Sequence, residues 1–542
     1  MRNSSAILLS VMRFFRKNPW SIQAVAPSWG NLLSIYDRVR EDPSAVLPDE
    51  GKVFPRGRLK WVSGAMDGVL NSHVERGETK KRVLDIADAL RQLERRADEG
   101  SLQRLYDLVV QDSLVGLIDA VLDHLEAQSV VHDKPRLREI GRYLATRADH
   151  REAVKFGMAL IGVCGKGEDA EILQVLGRND EFTLFAAVGL PRTAKNGEQA
   201  LWELARQVHG WGRIQIVRRL GDTEDSEIQA WMLRDGFRNT VMDEYLACIC
   251  ARAGRLHEAL NQQIIDDALV DGAADIIRAL ICGGPADDID DYEFAPDVCE
   301  SYTNIVLFRP EATLKHFLTI TALRQFLNEP SEWEKRYKSN WTESRRQTLT
   351  SIVNEVFGRN EWRNMVEAAL ISNDAERFDE GDRAAQSLGV DTWTLHFERV
   401  KAAPLTSSSW YRLMEQTDES RIDAVLAFGE RILPFEEIET GPADELGMGP
   451  KFQAHGVLDW ILQDLRRFPH RGWRFIRAGL RSPVVRNRNM AINALGAWPR
   501  ESWSDETRAF IIEACDSEPE QDVRQRLTCL LDGTALTQDE MP

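Results

Sequence analysis

Apolar residues fall along this chain at helical spacing, in stretches too short to stand alone. Val83, Ile86, Leu90 and Leu93 share one face of a helix that starts at Thr79, a residue suited to an N-cap, and stops near Gly100. Ser101 can cap the next helix. Ser113 can cap a third, in which Leu114, Leu117, Ile118, Val121, Leu122 and Leu125 recur at i, i+3 and i+4. So broad a stripe on so short a helix needs cover from several neighbours, as in stacked helical hairpins. No strand-like alternation of useful length interrupts the pattern.

From Arg136 to Leu260 the hairpins become periodic. Gly167-Glu168-Asp169-Ala170 returns as Gly197-Glu198-Gln199-Ala200, and the small residue comes round again at Ala230 and, one position early, at Ala259. Glu152, Phe156, Gly157 and Ile161 correspond, 29 residues on, to Glu181, Phe185, Ala186 and Leu190. A period near thirty residues marks supersecondary units that bury their apolar faces only against each other. Small residues at a fixed point of each unit let helix axes approach closely. Gly177, Gly221, Gly236 and Gly254 are expected at left-handed positions that end helices.

The flanks are less regular. Residues 1–78 read as an irregular N-terminal segment broken by Pro43, Pro48 and Pro55, with one short helix around Trp61 to Leu70. Residues 79–283 form an N-terminal helical-repeat half, 284–300 an acidic linker, and 301–542 a C-terminal helical-repeat half. The linker run Asp287 to Glu293 pairs its acids side by side and lacks the glycine of a calcium loop. Beyond it, Trp333, Trp341, Trp362, Trp393, Trp410, Trp460, Trp473, Trp498 and Trp503 are expected mostly as wedges between helices. Val485-Arg486-Asn487-Arg488 recurs 38 residues later as Val523-Arg524-Gln525-Arg526, so the array is expected to reach the C-terminus. The fold class is all-α, an α-solenoid of stacked antiparallel helix pairs.

Val-Arg entering a helix and Ala494-Leu495-Gly496 leaving it, within units of thirty to forty residues, resemble HEAT and HEAT-like repeats, including the short ones of bilin-lyase proteins. The resemblance covers roughly 150–260 and 470–533, and it implies a fold rather than an activity. Asp180 to Ala187 and His209 to Arg213 are also similar to bacterial helical proteins that carry a limonene-hydroxylase label, but no haem, flavin or iron pattern accompanies them.

Composition narrows the function. With 43% hydrophobic and 28% charged residues among 542, the chain can build a core and is not a disordered polymer. A net charge of −18 opposes sequence-blind attraction to nucleic acid or anionic lipid, unless a local basic patch reverses it. Seven scattered cysteines suit a reducing compartment, expected here to be the cytoplasm, and are expected as buried free thiols. Arg13, Arg16 and Lys17 interrupt what would otherwise read as a signal peptide, and no apolar run reaches the roughly 20 residues of a membrane span.

No histidine pair at metal-binding spacing, nucleophile elbow or phosphate loop is present, so no catalytic residue, metal or cofactor is assigned. The strongest functional feature is a charge reversal. Arg466, Arg467, Arg471, Arg474, Arg477, Arg481, Arg486 and Arg488 occur with no acidic residue between Asp464 and Glu501, and Trp473 is interleaved with them. Such a segment could hold phosphates, bases or an acidic partner, or could serve as a charge ladder between repeats. A secondary candidate is the turn His209-Gly210-Trp211-Gly212-Arg213, with Arg238 and Asn239 near it in sequence. The expected function is a non-enzymatic scaffold or adaptor that binds a protein partner on a curved surface. The alternatives are nucleic-acid or phosphate binding through 466–488, and an enzyme or carrier acting on a hydrophobic small molecule.

Overall fold

The computed structural model describes residues 20–27, 29, 33–53, 64, 79–127 and 134–534. These are helical throughout, and an isolated parallel bridge between Glu445 and Val484 is the only β pairing among them. The expected helix near Trp61 to Leu70 lies outside the described residues, apart from Gly64. The chain divides into two compact units, Met1–Asn360 and Glu361–Pro542. The acidic stretch read as a linker therefore lies inside the first unit. There Ile289 and Tyr292 are buried, and Arg252 and Arg336 bind Asp287, Asp290 and Glu293.

The first unit is a solenoid-like stack of helix pairs. Lys134–Arg147 lies against Arg151–Cys164, and Ala170–Gly177 against Asp180–Thr193. The second helices form a continuous ladder in which each packs on the next: Arg151–Cys164, Asp180–Thr193, Trp211–Arg219, Glu244–Ala253, Asp267–Cys282, Leu314–Asn328 and Glu343–Phe357. Glycine sets the closeness of the pairs. A Cβ on Gly157 would lie 2.5 Å from the Ala145 nitrogen and 2.7 Å from the Gly141 oxygen, so only hydrogen fits. Its counterpart one unit on, Ala186, meets Gly177 in the same way.

That contact corrects one expectation. None of Gly177, Gly221, Gly236 and Gly254 has a positive φ. A Cβ on Gly254 would sit 2.5 Å from the Leu233 side chain, and one on Gly236 would sit 2.9 Å from the Trp231 ring, so close packing selects glycine there. The left-handed residue after Gly254 is Arg255, at φ 51°. Two starts also shift. Asp98, not Ser101, caps the helix Glu99–Val109, because its carboxylate accepts from the Ser101 nitrogen at 2.9 Å. The helix after Ser113 begins only at Ile118, and the Leu114 nitrogen before it donates to Glu152 Oε2 at 2.7 Å.

In the second unit, Gln453–Leu465, Trp473–Leu480 and Val485–Gly496 pack mutually, and Val485–Gly496 meets Gln521–Asp532. Trp362, Trp410, Trp498 and Trp503 are buried here, as Trp333 and Trp341 are in the first unit. Trp393, Trp460 and Trp473 are only partly covered. The thiols divide too. Cys248, Cys250 and Cys299 are buried, and burial pushes the Cys248 thiol up to about 12. Cys164, Cys515 and Cys529 are half-buried and Cys282 is exposed, contrary to the expectation for those four. No described helix is long and apolar enough to cross a membrane.

Candidate functional site

The arginine-rich segment is answered by acids from neighbouring elements. Arg467 pairs with Asp464 at 3.0 Å, Arg471 with Asp423 at 2.7 Å, and Arg481 with Glu513 at 3.1 Å. Glu439 receives both Arg474 and Arg477, and Asp459 lies 3.5 Å from Arg486. Arg488 is buried against Glu518. Arg466 alone is exposed with no acid within pairing distance among the described residues. Trp473 is half-buried against Trp498 and Phe510, while Phe468 and Phe475 belong to the core. Apart from Arg466, each arginine of the segment thus has an acid within pairing distance, from elements before it (Asp423, Glu439, Asp459, Asp464) or after it (Glu513, Glu518).

The His209–Arg213 turn wraps a carboxylate. The Gly212 nitrogen donates to Asp180 Oδ1 at 3.0 Å, and a Cβ on Gly210 or Gly212 would lie 2.6 or 2.5 Å from an Asp180 oxygen. Burial raises the Asp180 pKa, and the Gly212 hydrogen bond only partly offsets it. Arg213 is buried, donating to the Arg238 carbonyl at 2.9 Å and to Asp235 at 2.6 Å. Arg238 pairs with Asp275 at 2.6 Å, and the Asn239 amide closes its own turn onto the Val241 and Met242 nitrogens. Trp211 is half-buried, its ring 5.4 Å from that of Tyr245, and His209 is exposed. The turn therefore brings Trp211, Tyr245 and, through its cation over Tyr245, Arg218 to one place.

Two further features were not legible in the sequence. One is a buried ionic cluster. Arg151 makes two bonds to Asp49, at 3.0 and 3.1 Å, and one to Glu50 at 2.9 Å, while Lys155 lies between Glu181 at 2.8 Å and Glu152 at 3.3 Å. Nearby, the Tyr106 hydroxyl donates to Asp149 at 2.6 Å. This cluster fastens residues 49–50 to the ladder. No group of side chains suited to a metal ion occurs among the described residues.

The other feature is a cavity of about 120 Å³ on the ladder face. Ile118, Leu122, Met158, Leu184 and Val188 wall it, and two glycines of successive ladder helices, Gly162 and Gly189, lie at its floor. A Cβ on Gly162 would stand 3.3 Å from the Gly189 Cα and one on Gly189 would stand 2.8 Å from a Leu173 methyl, so the two glycines let these helices approach closely beside the cavity. Arg192, Arg219 and Asp119 stand at its edge, all three exposed. Arg219 bonds only the Gln215 carbonyl and side-chain oxygen, at 2.7 and 3.3 Å. Neither Arg192 nor Arg219 has an acidic partner among the described residues, whereas Arg138, Arg213, Arg234, Arg252 and Arg345 of the same unit do and others, such as Arg206 and Arg218, do not.

Comparison of the chain with family models, with curated proteins and with solved structures finds no match. Fold and site define a class, the all-α helical-repeat proteins, and the functional reading rests on geometry.

Proposed function

We propose that this protein is a non-enzymatic helical-repeat scaffold or adaptor that binds a partner protein on the ladder face of its first unit. The observation that carries this reading is the cavity framed by Ile118–Ala127, Arg151–Cys164 and Asp180–Thr193, with Arg192 and Arg219 beside it and without an acidic partner among the described residues. Two cations at the rim of one apolar cavity, without an acidic partner among the described residues, give an outside acidic group a place to be met. The nucleic-acid alternative draws on arginines that Asp423, Glu439, Asp459, Glu513 and Glu518 already neutralise, which favours a protein ligand over phosphates. The small-molecule alternative meets a limit of size. A dry cavity of roughly 150 Å³ accepts a benzene-sized group, so this one suits a single side chain better than a long lipid.

The test is quantitative capture on immobilised full chain from native lysate, comparing the wild type with Val188→Glu. Val188 is 45% exposed, so a charge there spares the fold. The expected result is a protein retained by the wild type and lost from the variant. Identical retention by both, or none by either, contradicts the reading.

A further inference from the structure

We infer that the ladder cavity takes one large apolar side chain of the partner, leucine or phenylalanine, and that Arg192 and Arg219 hold an acidic residue beside it. The inference rests on the protein-binding reading above and adds the chemistry of the ligand. Three observations converge on it. The volume of about 120 Å³ matches one side chain. The walls are apolar, from Ile118, Met158, Leu184 and Val188. An anchor entering there gains contact with those walls.

Charge selects the neighbour of the anchor. Arg192 and Arg219 edge the same cavity, neither paired with an acid among the described residues, and Arg218 adds a third positive charge close enough to act on Arg219. A guanidinium fork with free donors recognises a carboxylate in two-point fashion. Asp119 stands at the same edge, outside any ion pair among the described residues, and it disfavours an acid on its own side. The acid is therefore required on the arginine side of the anchor. A ligand with an apolar group alone would leave both arginines unanswered, and a basic peptide would be repelled by them.

The test selects a random seven-residue phage-displayed library on the immobilised full chain. An enriched peptide is then synthesised with a fluorescein label and titrated by anisotropy against the wild type and two variants. Arg192→Glu/Arg219→Glu reverses the charge at exposed positions, and Ala159→Phe fills the cavity from its half-exposed wall. Circular dichroism melting confirms that each variant is folded. The expected result is enrichment of Leu or Phe with Asp or Glu within two positions, at least tenfold weaker binding to both variants, and a shift of the charge-reversed variant toward Lys- or Arg-containing peptides. Enriched peptides that bind both variants as well as the wild type overturn the inference while leaving the protein-binding reading in place. So does a library without enrichment when Val188→Glu still abolishes capture from lysate. Displacement by decanoate of a fluorescent fatty acid from the wild type, with no peptide selected, overturns it in favour of a free amphiphile.

Discussion

Arg488 and Glu518 face each other inside the second unit with almost no access to water. The Arg488 Nε donates to Glu518 Oε2 at 2.7 Å, and a second guanidinium nitrogen donates to Oε1 at 2.8 Å. The remaining donors reach the Ala443 and Ser482 carbonyls, each at 2.9 Å. An arginine this fully engaged joins two helices and the loop before them. Its conversion to methionine strands the Glu518 carboxylate, and the expected cost is about 3–5 kcal/mol. Thermal denaturation of Arg488→Met checks this. Adding Glu518→Leu should recover much of the loss, short of the wild type because two carbonyls still lack donors.

In the first unit, Lys155 holds apart the charges of Glu152 and Glu181, all three being buried. Lys155→Met leaves two buried carboxylates without a cation at that position and should destabilise by about 3–5 kcal/mol. Glu181→Gln in the same chain should restore part of it. If urea denaturation finds Lys155→Met unchanged, Lys155 does not stabilise the buried pair Glu152 and Glu181.

Asp459 is expected to contribute to the pH dependence of the second unit. Burial lifts its pKa to about 6, against the lowering effects of the Asn487 hydrogen bond and of Arg486. A carboxyl raised in the folded state favours folding most when protonated, so its contribution is present below about pH 4 and is lost as pH rises through about 6. The wild type should therefore lose, between those values, on the order of 2–3 kcal/mol relative to Asp459→Asn. Melting curves of both proteins from pH 4 to 7.5 measure the difference. A constant gap would show that Asp459 titrates normally.

Glu439 tests what the arginine-rich segment does. It meets Arg474 and Arg477 together, and Arg474 also lies over the Phe435 ring at 3.9 Å. Glu439→Gln should lower the melting temperature of the second unit by a few degrees, since partly exposed pairs contribute about 1 kcal/mol or less each. It should also raise retention on a polyanion column at low salt by releasing two positive charges. Retention equal to that of the wild type would mean that Glu439 does not mask them.

The helical stack was readable because a repeat reports on itself. Gly157 and Ala186 hold corresponding places, and each is a point of close helix approach. Caps were less readable, since Asp98 and Ser101 compete for one helix start and only the backbone path decides between them. Distant partners were not readable at all. Nothing near Arg474 in sequence points to Glu439, and Asp49 reaches Arg151 across 102 residues. The cavity was hidden for a different reason. It lies where Ile118–Ala127, Arg151–Cys164 and Asp180–Thr193 meet, and the sequence of no one of these helices shows that the other two leave a gap beside it.

The central claim is that a partner protein seats on the ladder face beside Val188. A photo-crosslinking amino acid placed at position 188 of the full chain, irradiated in native lysate, tests it most directly, with Ile371, 82% exposed in the second unit, as the matched control position. The account requires a discrete protein adduct from position 188 that Arg192→Glu/Arg219→Glu removes, and none from 371. No adduct at 188, or the same adduct at both positions, would contradict it.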